Sequence, residues 1–141
     1  LMSLRVEKGY GSWGREYSPE YWPQEVGLEQ LVKLEKDFLN KSAYLQIKDE
    51  VPREELMLVH VQDVEAADAS GGEPIFLPDG SPVGRVTSGT YGYSVGMSLA
   101  LGYLSGVAPG QAVDVMILGR PHRGVVLAEP PFDPRGERLR L

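Results

Sequence analysis

No cysteine occurs among the 141 residues, and histidine appears only twice. The first absence excludes a disulfide framework, a thiolate nucleophile and any cysteine-held zinc or iron–sulfur site. The second leaves little for a histidine-based metal site: His60 and His122 lie far apart, and no H-E-x-x-H run exists. Basic residues are short as well. The chain has 14 Lys and Arg against 20 Asp and Glu, a net charge of −6, so it offers no broad positive surface to DNA or RNA. No run approaches the roughly 18 apolar residues expected of a spanning helix. The start, "LMSLRVEKGYG", carries a charge at Arg5 and no apolar core of signal-peptide length. These features predict a soluble, intracellular chain with neither a nucleic-acid nor a membrane partner. The Gly-Lys-Ser/Thr of a phosphate-binding loop and the G-x-S-x-G elbow of a hydrolase are absent too.

What is present is enough apolar sequence, 42% of residues, for one domain with a core or one domain plus a helical extension. The 17 glycines and 11 prolines are spread out and predict many turns; no internal repeat or low-complexity tract occurs. "MSLRVEKG" reads as a helix with Ser3 as a cap and Gly9 as its end. The chain opens part-way into it, which predicts further sequence upstream. Pro19 and Pro23 make the next stretch extended or turning, and Leu28, Leu31, Val32 and Leu34 fit a short helix or a strand. "NKSAYLQI" predicts a helix with Asn40 at its N-cap and Pro52 closing it.

After Pro52 the character changes. "ELMLVHVQDV", the pair of strands around Asp79-Gly80, "MSLALGYL", "QAVDVMILG" and "RGVVLAE" are six short β-segments, separated by "SGVAPG" and "RPHR". That spacing predicts a small antiparallel β-barrel or two-layer sheet. The expected fold class is α+β: a short helical and irregular N-terminal segment over 1–52, then a barrel of about six strands over 53–141.

The glycine- and hydroxyl-rich "VGRVTSGTYGYSVG", residues 83–96, raises the possibility of a phosphate cradle. Its glycine spacing fits neither nucleotide motif, and strands lie on both sides. We read it as a turn between barrel strands in which Thr87, Ser88 and Ser94 satisfy nearby backbone groups. His60 reads as a core or face residue of a strand, and His122, in "GRPHRG", as an exposed hairpin tip. The carboxylate pairs in "KDE" and "REE" read as solvated faces. No catalytic residue and no metal ligand is assigned.

Two stretches keep a functional reading. In "GYGSWGREY" the aromatic faces of Tyr10, Trp13 and Tyr17 lie among glycines beside Arg5 and Arg15, a combination that suits a flat heteroaromatic ligand bearing carboxylates or, equally, core packing. In the tail, "EPPFDPRGERLRL", Arg135, Arg138 and Arg140 could clamp an anion, although a solvated terminus explains them more simply.

These residues carry a resemblance. "SLRVEKGYGSWGREYSPEYWPQEVGLEQLVKLEKDFLNK" resembles a segment of the glycine cleavage T-protein (aminomethyltransferase) superfamily. "GEPIF", "DGSPVGRVTSGTYGYSVGMSLALGYL" and the tail resemble that superfamily's C-terminal barrel. "EKGYGSWG" together with "PFDPRGERLRL" is closer to the dimethylglycine and sarcosine dehydrogenase branch. The resemblance implies folate-dependent one-carbon transfer that yields 5,10-methylenetetrahydrofolate, with FAD in an upstream domain. It implies that 1–52 ends a folate-binding domain, and that the catalytic aspartate and most of the pterin pocket lie in upstream domains, the partners this chain would need. Of the pocket, only an edge at Trp13 and the tail's Arg138 would be cofactor-binding here, and the chain would not be catalytic alone. Arg5 and Glu25 match positions read as structural pairing. The compartment implied is the cytoplasm, or the mitochondrial matrix for a eukaryotic source. The alternative is a stand-alone barrel that serves as an interaction module. The fragment reading expects Trp13 partly exposed, with apolar surface uncovered around residues 4 to 34.

Overall fold

Alternating β-formers after Pro52, cut by turn residues, build six strands: β1 Glu55–Val61, β2 Pro74–Phe76, β3 Pro82–Gly92, β4 Met97–Leu104, β5 Ala112–Ile117 and β6 Arg120–Val126. The structure, a computed structural model, describes residues 1–140, with the backbone alone at Leu139. All strand pairs are antiparallel and close a barrel in the order β1-β4-β3-β2-β5-β6. Closure leaves no long edge unpaired. Val59, Val61, Ile75, Ala100, Val113 and Val115 belong to the core within it.

Ahead of the barrel come α1 Met2–Glu7, a 3-10 turn at Glu29–Leu31 and α2 Lys41–Ile47. Helix α1 lays Val6 against Leu58, Leu99 and Leu101, a second apolar cluster on β1 and β4. Strand β4 is therefore covered on both faces, and Ser98 through Leu104 are all buried. That double cover is why "MSLALGYL" is a continuous apolar run rather than an alternating one.

Several expectations need correction. Residues 83–92 are not a turn: they are most of β3, and the turn is only Tyr93–Gly96. Glycines within β3 serve close packing, since a Cβ at Gly84 would lie 1.9 Å from the Tyr103 carbonyl oxygen. Nor do Thr87, Ser88 and Ser94 act locally: Thr87 donates to the Leu101 carbonyl (3.0 Å), Ser88 to Glu16, and the Ser94 N–H to Glu7. "RPHR" belongs to β6. The turn before it is Leu118-Gly119, both at positive φ (49° and 76°), so His122 is a half-buried strand residue opposite Val115. Ser3 lies inside α1, where its hydroxyl donates to Glu7 (3.1 Å), and makes no cap. Asn40 does stand at the N-cap of α2, but in the left-handed region, φ 64°, and without a side-chain cap bond, and α2 stops at Ile47, before Pro52.

Three buried glutamates fasten the N-terminal segment to the barrel. Glu7 accepts the Ser94 N–H at 2.9 Å. Glu16 accepts the Ser88 hydroxyl at 2.6 Å and, on its other oxygen, the Ser12 N–H at 2.7 Å and Arg5 at 3.3 Å. Glu25 accepts Arg53 through both oxygens (2.7 and 2.8 Å) and the Trp22 N–H at 2.8 Å. Arg5 and Glu25 thus pair as expected, but with different partners. Across the top of α1 runs the tail, where Lys8 pairs with Asp133 and the Phe132 N–H donates to the Glu7 carbonyl.

Gly9 sits under that tail with φ +69°, and a Cβ there would lie 2.7 Å from Pro130 Cγ. Gly9→Ala is expected to destabilise the chain by at least the ~1–2 kcal/mol that a left-handed residue costs, read as a lower urea midpoint; an unchanged midpoint would refute the tail contact. A pH dependence follows from the glutamates. Burial opposes the charge on Glu7 and Glu16, but hydrogen bonds from Ser94 and Ser3, and from Ser88, Ser12 and Arg5, outweigh it. At Glu25 the Arg53 hydrogen bonds dominate. All three carboxyls are held below the usual value. Their stabilisation is complete above the unfolded glutamate pKa of about 4.3 and is lost as pH falls through the lower folded values. Thermal midpoints are expected to decline steeply below about pH 4, and less steeply in Glu25→Gln.

Candidate functional site

The sequence "YGSWGREY" forms a tight turn because its glycines allow close approach. Gly11 packs against the Tyr17 ring, where a Cβ would lie 2.7 Å from the ring carbons, and its N–H donates to the Tyr17 hydroxyl at 3.0 Å. The Gly14 N–H bonds the Tyr17 carbonyl at 2.9 Å. Glu16, anchored inward on Ser12 and Ser88, fixes the turn from below. The side chain forced to the outside is Trp13, 84% exposed.

Trp13 forms one edge of a groove of about 350 Å³ whose other walls include Tyr17, Pro19, Tyr21, Pro23 and Leu31. Prolines 19 and 23 hold the chain extended along it. Tyr21 is seated from behind: its ring stacks on the buried Tyr103 at 3.9 Å with 9° between planes, and its hydroxyl accepts from Arg85 at 2.6 Å. Burial pushes the phenols of Tyr21 and Tyr103 up, so both stay protonated near neutral pH. The groove lining contains neither a carboxylate nor a cation. It can stack and desolvate a flat ring, but it holds no general base of ordinary strength.

The expected arginines are placed differently. Arg5 is committed inward, to Glu16, to Ser88 (2.7 Å) and to the Tyr10 carbonyl (3.0 Å), and Arg15 also reaches Ser88 (3.4 Å). Arg5 is therefore an internal strut rather than a ligand contact. Arg138 lies over the Phe132 ring, 5.0 Å from its centroid, and does not line the Trp13 groove; Arg135 pairs with Glu137 at 3.2 Å. Among the described residues, no group of three or more His, Cys, Asp or Glu side chains could hold a metal ion. No helix of the described residues is long and apolar enough to cross a membrane. The residues that sequence reasoning missed are Glu16, Ser88 and Arg53. Ser88 lies 72 positions from Glu16 and Arg53 lies 28 from Glu25, so no local pattern announces either pair.

Known proteins share this architecture. Mouse mitochondrial dimethylglycine dehydrogenase is 40% identical over 147 residues, a match that covers all of this chain but 16% of that protein. The 4-methylaminobutanoate oxidase (formaldehyde-forming) of Paenarthrobacter nicotinovorans is 33% identical over 99% of this chain and 17% of its own length. The glycine cleavage system aminomethyltransferase T of Bartonella henselae superposes with a TM-score of 0.82 at 26% identity, over 94% of this chain and 38% of that one. The chain thus spans well under half the length of these relatives. The profile of the glycine cleavage T-protein C-terminal barrel domain matches residues 55–133, which run from the first residue of β1, through all six strands, to the Asp133 that pairs with Lys8. That match takes in more than half of the chain, and the chain belongs to the glycine cleavage T-protein C-terminal barrel family.

Proposed function

We propose that this chain is the C-terminal part of a folate-dependent one-carbon (aminomethyl) transfer protein of the dimethylglycine and sarcosine dehydrogenase kind. In this reading residues 1–52 end the folate-binding domain and 53–141 are the barrel domain. Tetrahydrofolate lies against Trp13, and Arg138 is a second, separate contact for its anionic portion. FAD belongs to an upstream domain, and the compartment is the cytoplasm or, for a eukaryotic source, the mitochondrial matrix.

One observation carries the reading: Trp13 stands 84% exposed at the rim of an aromatic and proline-walled groove. A large aromatic surface left in water marks a ligand or polypeptide contact. The resemblance of "EKGYGSWG" to the dehydrogenase branch and the mouse relative's name give that contact its chemistry. In this reading the chain is not catalytic alone. Formation of 5,10-methylenetetrahydrofolate needs a proton acceptor at the folate amine, which upstream domains would supply.

A barrel that docks without any folate role is the second reading, and it is favoured by the closure of the barrel around its own core. Anaerobic calorimetry with tetrahydrofolate separates the two. Under the folate reading the chain binds saturably with a dissociation constant near micromolar, about −8 kcal/mol. Trp13→Ala then weakens binding by roughly tenfold, the size of one lost base-stacking contact. No heat above dilution at millimolar ligand would sink the claim that these residues define a folate site by themselves.

A further inference from the structure

The groove is built from a segment with almost no buried residue of its own. Among the described residues, Glu25 is the one buried residue between Tyr17 and Met57. The wall residues are arranged around it in sequence: Pro19, Tyr21 and Pro23 precede it, and Val26 and Leu28 follow. No apolar core sets where they stand. Tyr21 has its own seat on Tyr103, but the walls on either side of Glu25 depend on what holds Glu25.

What holds its carboxylate is the Arg53 guanidinium together with the Trp22 N–H at 2.8 Å. Arg53 donates to both carboxylate oxygens of Glu25, at 2.7 and 2.8 Å, and also to the Glu20 carbonyl at 2.8 Å. Its guanidinium carbon stands 5.2 Å from the centre of the Trp22 ring. Glu25 returns the connection to the barrel through its own backbone, whose carbonyl accepts the Leu56 N–H of β1 at 2.7 Å. Three segments therefore meet at this pair: residues 20–25, the linker at 53 and the first strand of the barrel, β1. A two-point fork fixes direction as well as distance, which a point charge such as lysine does not.

We infer that the Glu25–Arg53 pair is the positioning device of the Trp13 groove, a clamp between a buried carboxylate and a half-exposed guanidinium that holds Pro23, Val26 and Leu28 in the wall against which a flat ligand lies. The inference rests on the reading of that groove as a ligand edge, but its structural half can be tested without any ligand. Glu25 and Arg53 are positioning residues: neither lines the groove.

The test combines amide hydrogen exchange with the tetrahydrofolate titration, on the full chain and on Glu25→Gln. Exchange is followed at Trp22 and Leu28, whose amides donate to Glu25 and to the Pro23 carbonyl, and at the β4 amides and the β1 amides other than Leu56, which itself bonds Glu25, as the barrel reference. The expected result is faster exchange at Trp22 and Leu28 with the barrel reference unchanged. Tetrahydrofolate affinity falls with it by roughly tenfold, as expected when one charge-assisted contact is lost. Arg53→Lys, which keeps the charge and loses the fork, gives the same pattern to a smaller extent and carries the test should Glu25→Gln fail to fold. Unchanged exchange at Trp22 and Leu28 overturns the inference. So does loss of protection in the barrel and groove together, which would make the pair a general support. Looser groove amides with unaltered affinity would also overturn it, by separating clamp from site. A full chain that binds no tetrahydrofolate sinks the folate reading alone, and the exchange result still decides the clamp.

Discussion

The carboxylate of Glu16 is the constraint on which the rest of this arrangement depends. It is fully buried and receives donors from three parts of the chain: Ser88 on β3, Ser12 in the glycine turn and Arg5 on α1. Its backbone carbonyl accepts the buried Tyr103 hydroxyl of β4 at 2.6 Å. A charge placed there without those donors would be costly, so the donors must arrive together or the segment does not seat. Once it seats, the path of residues 12 to 17 is set, and with it the outward direction of Trp13.

Two kinds of force divide the chain between them. The barrel is held by apolar burial, which is large and indifferent to direction. The first 54 residues contribute one buried hydrophobic side chain, Val6, alongside three buried glutamates. Buried ionic and hydrogen-bonded groups add little net stability compared with well-packed apolar ones, because desolvation offsets the attraction. What they impose is geometry. The N-terminal segment is thus located by directed contacts on a body that is stabilised by undirected ones.

This division also explains what the sequence disclosed. The barrel was legible because its strands announce themselves through apolar content and turn chemistry: "MSLALGYL" is β4, "ELMLVHVQDV" contains β1 and runs three residues past its end at Val61, and Asp79-Gly80 does separate β2 from β3. Glycine misled where it served sheet packing. Gly84 and Gly89 lie where neighbouring backbone leaves no room for a Cβ, and they made a strand look like a loop. Proline misled at Pro121, which lies where β6 pairs with β5 but not with β1, so its missing N–H costs the sheet little. The glutamate contacts were illegible for a different reason: a buried Glu and a surface Glu have the same neighbours in sequence. The two residues assigned to the site, Trp13 and Arg138, came from the family resemblance, since the aromatics and glycines around Trp13 fit core packing equally well. Arg138 stands with Phe132 instead of at the groove.

Nearly all buried polar side-chain atoms among the described residues have partners; only Glu7 Oε2, Gln24 Oε1 and Ser98 Oγ lack one. The polar demands of the fold are therefore largely met within the chain. Its apolar demands are not: Trp13, Leu31, Leu4 and Tyr10, all within the first 31 residues, stand half to four-fifths exposed. Apolar area of that size could have been turned inward had the segment possessed a core of its own, but the segment is positioned by carboxylates that leave its aromatic side outward. Rigid placement of an uncovered aromatic edge is what a binding surface requires, since an edge free to collapse would bury itself before any ligand or polypeptide reached it. The buried glutamates thus fix the path of a segment that leaves its tryptophan outward.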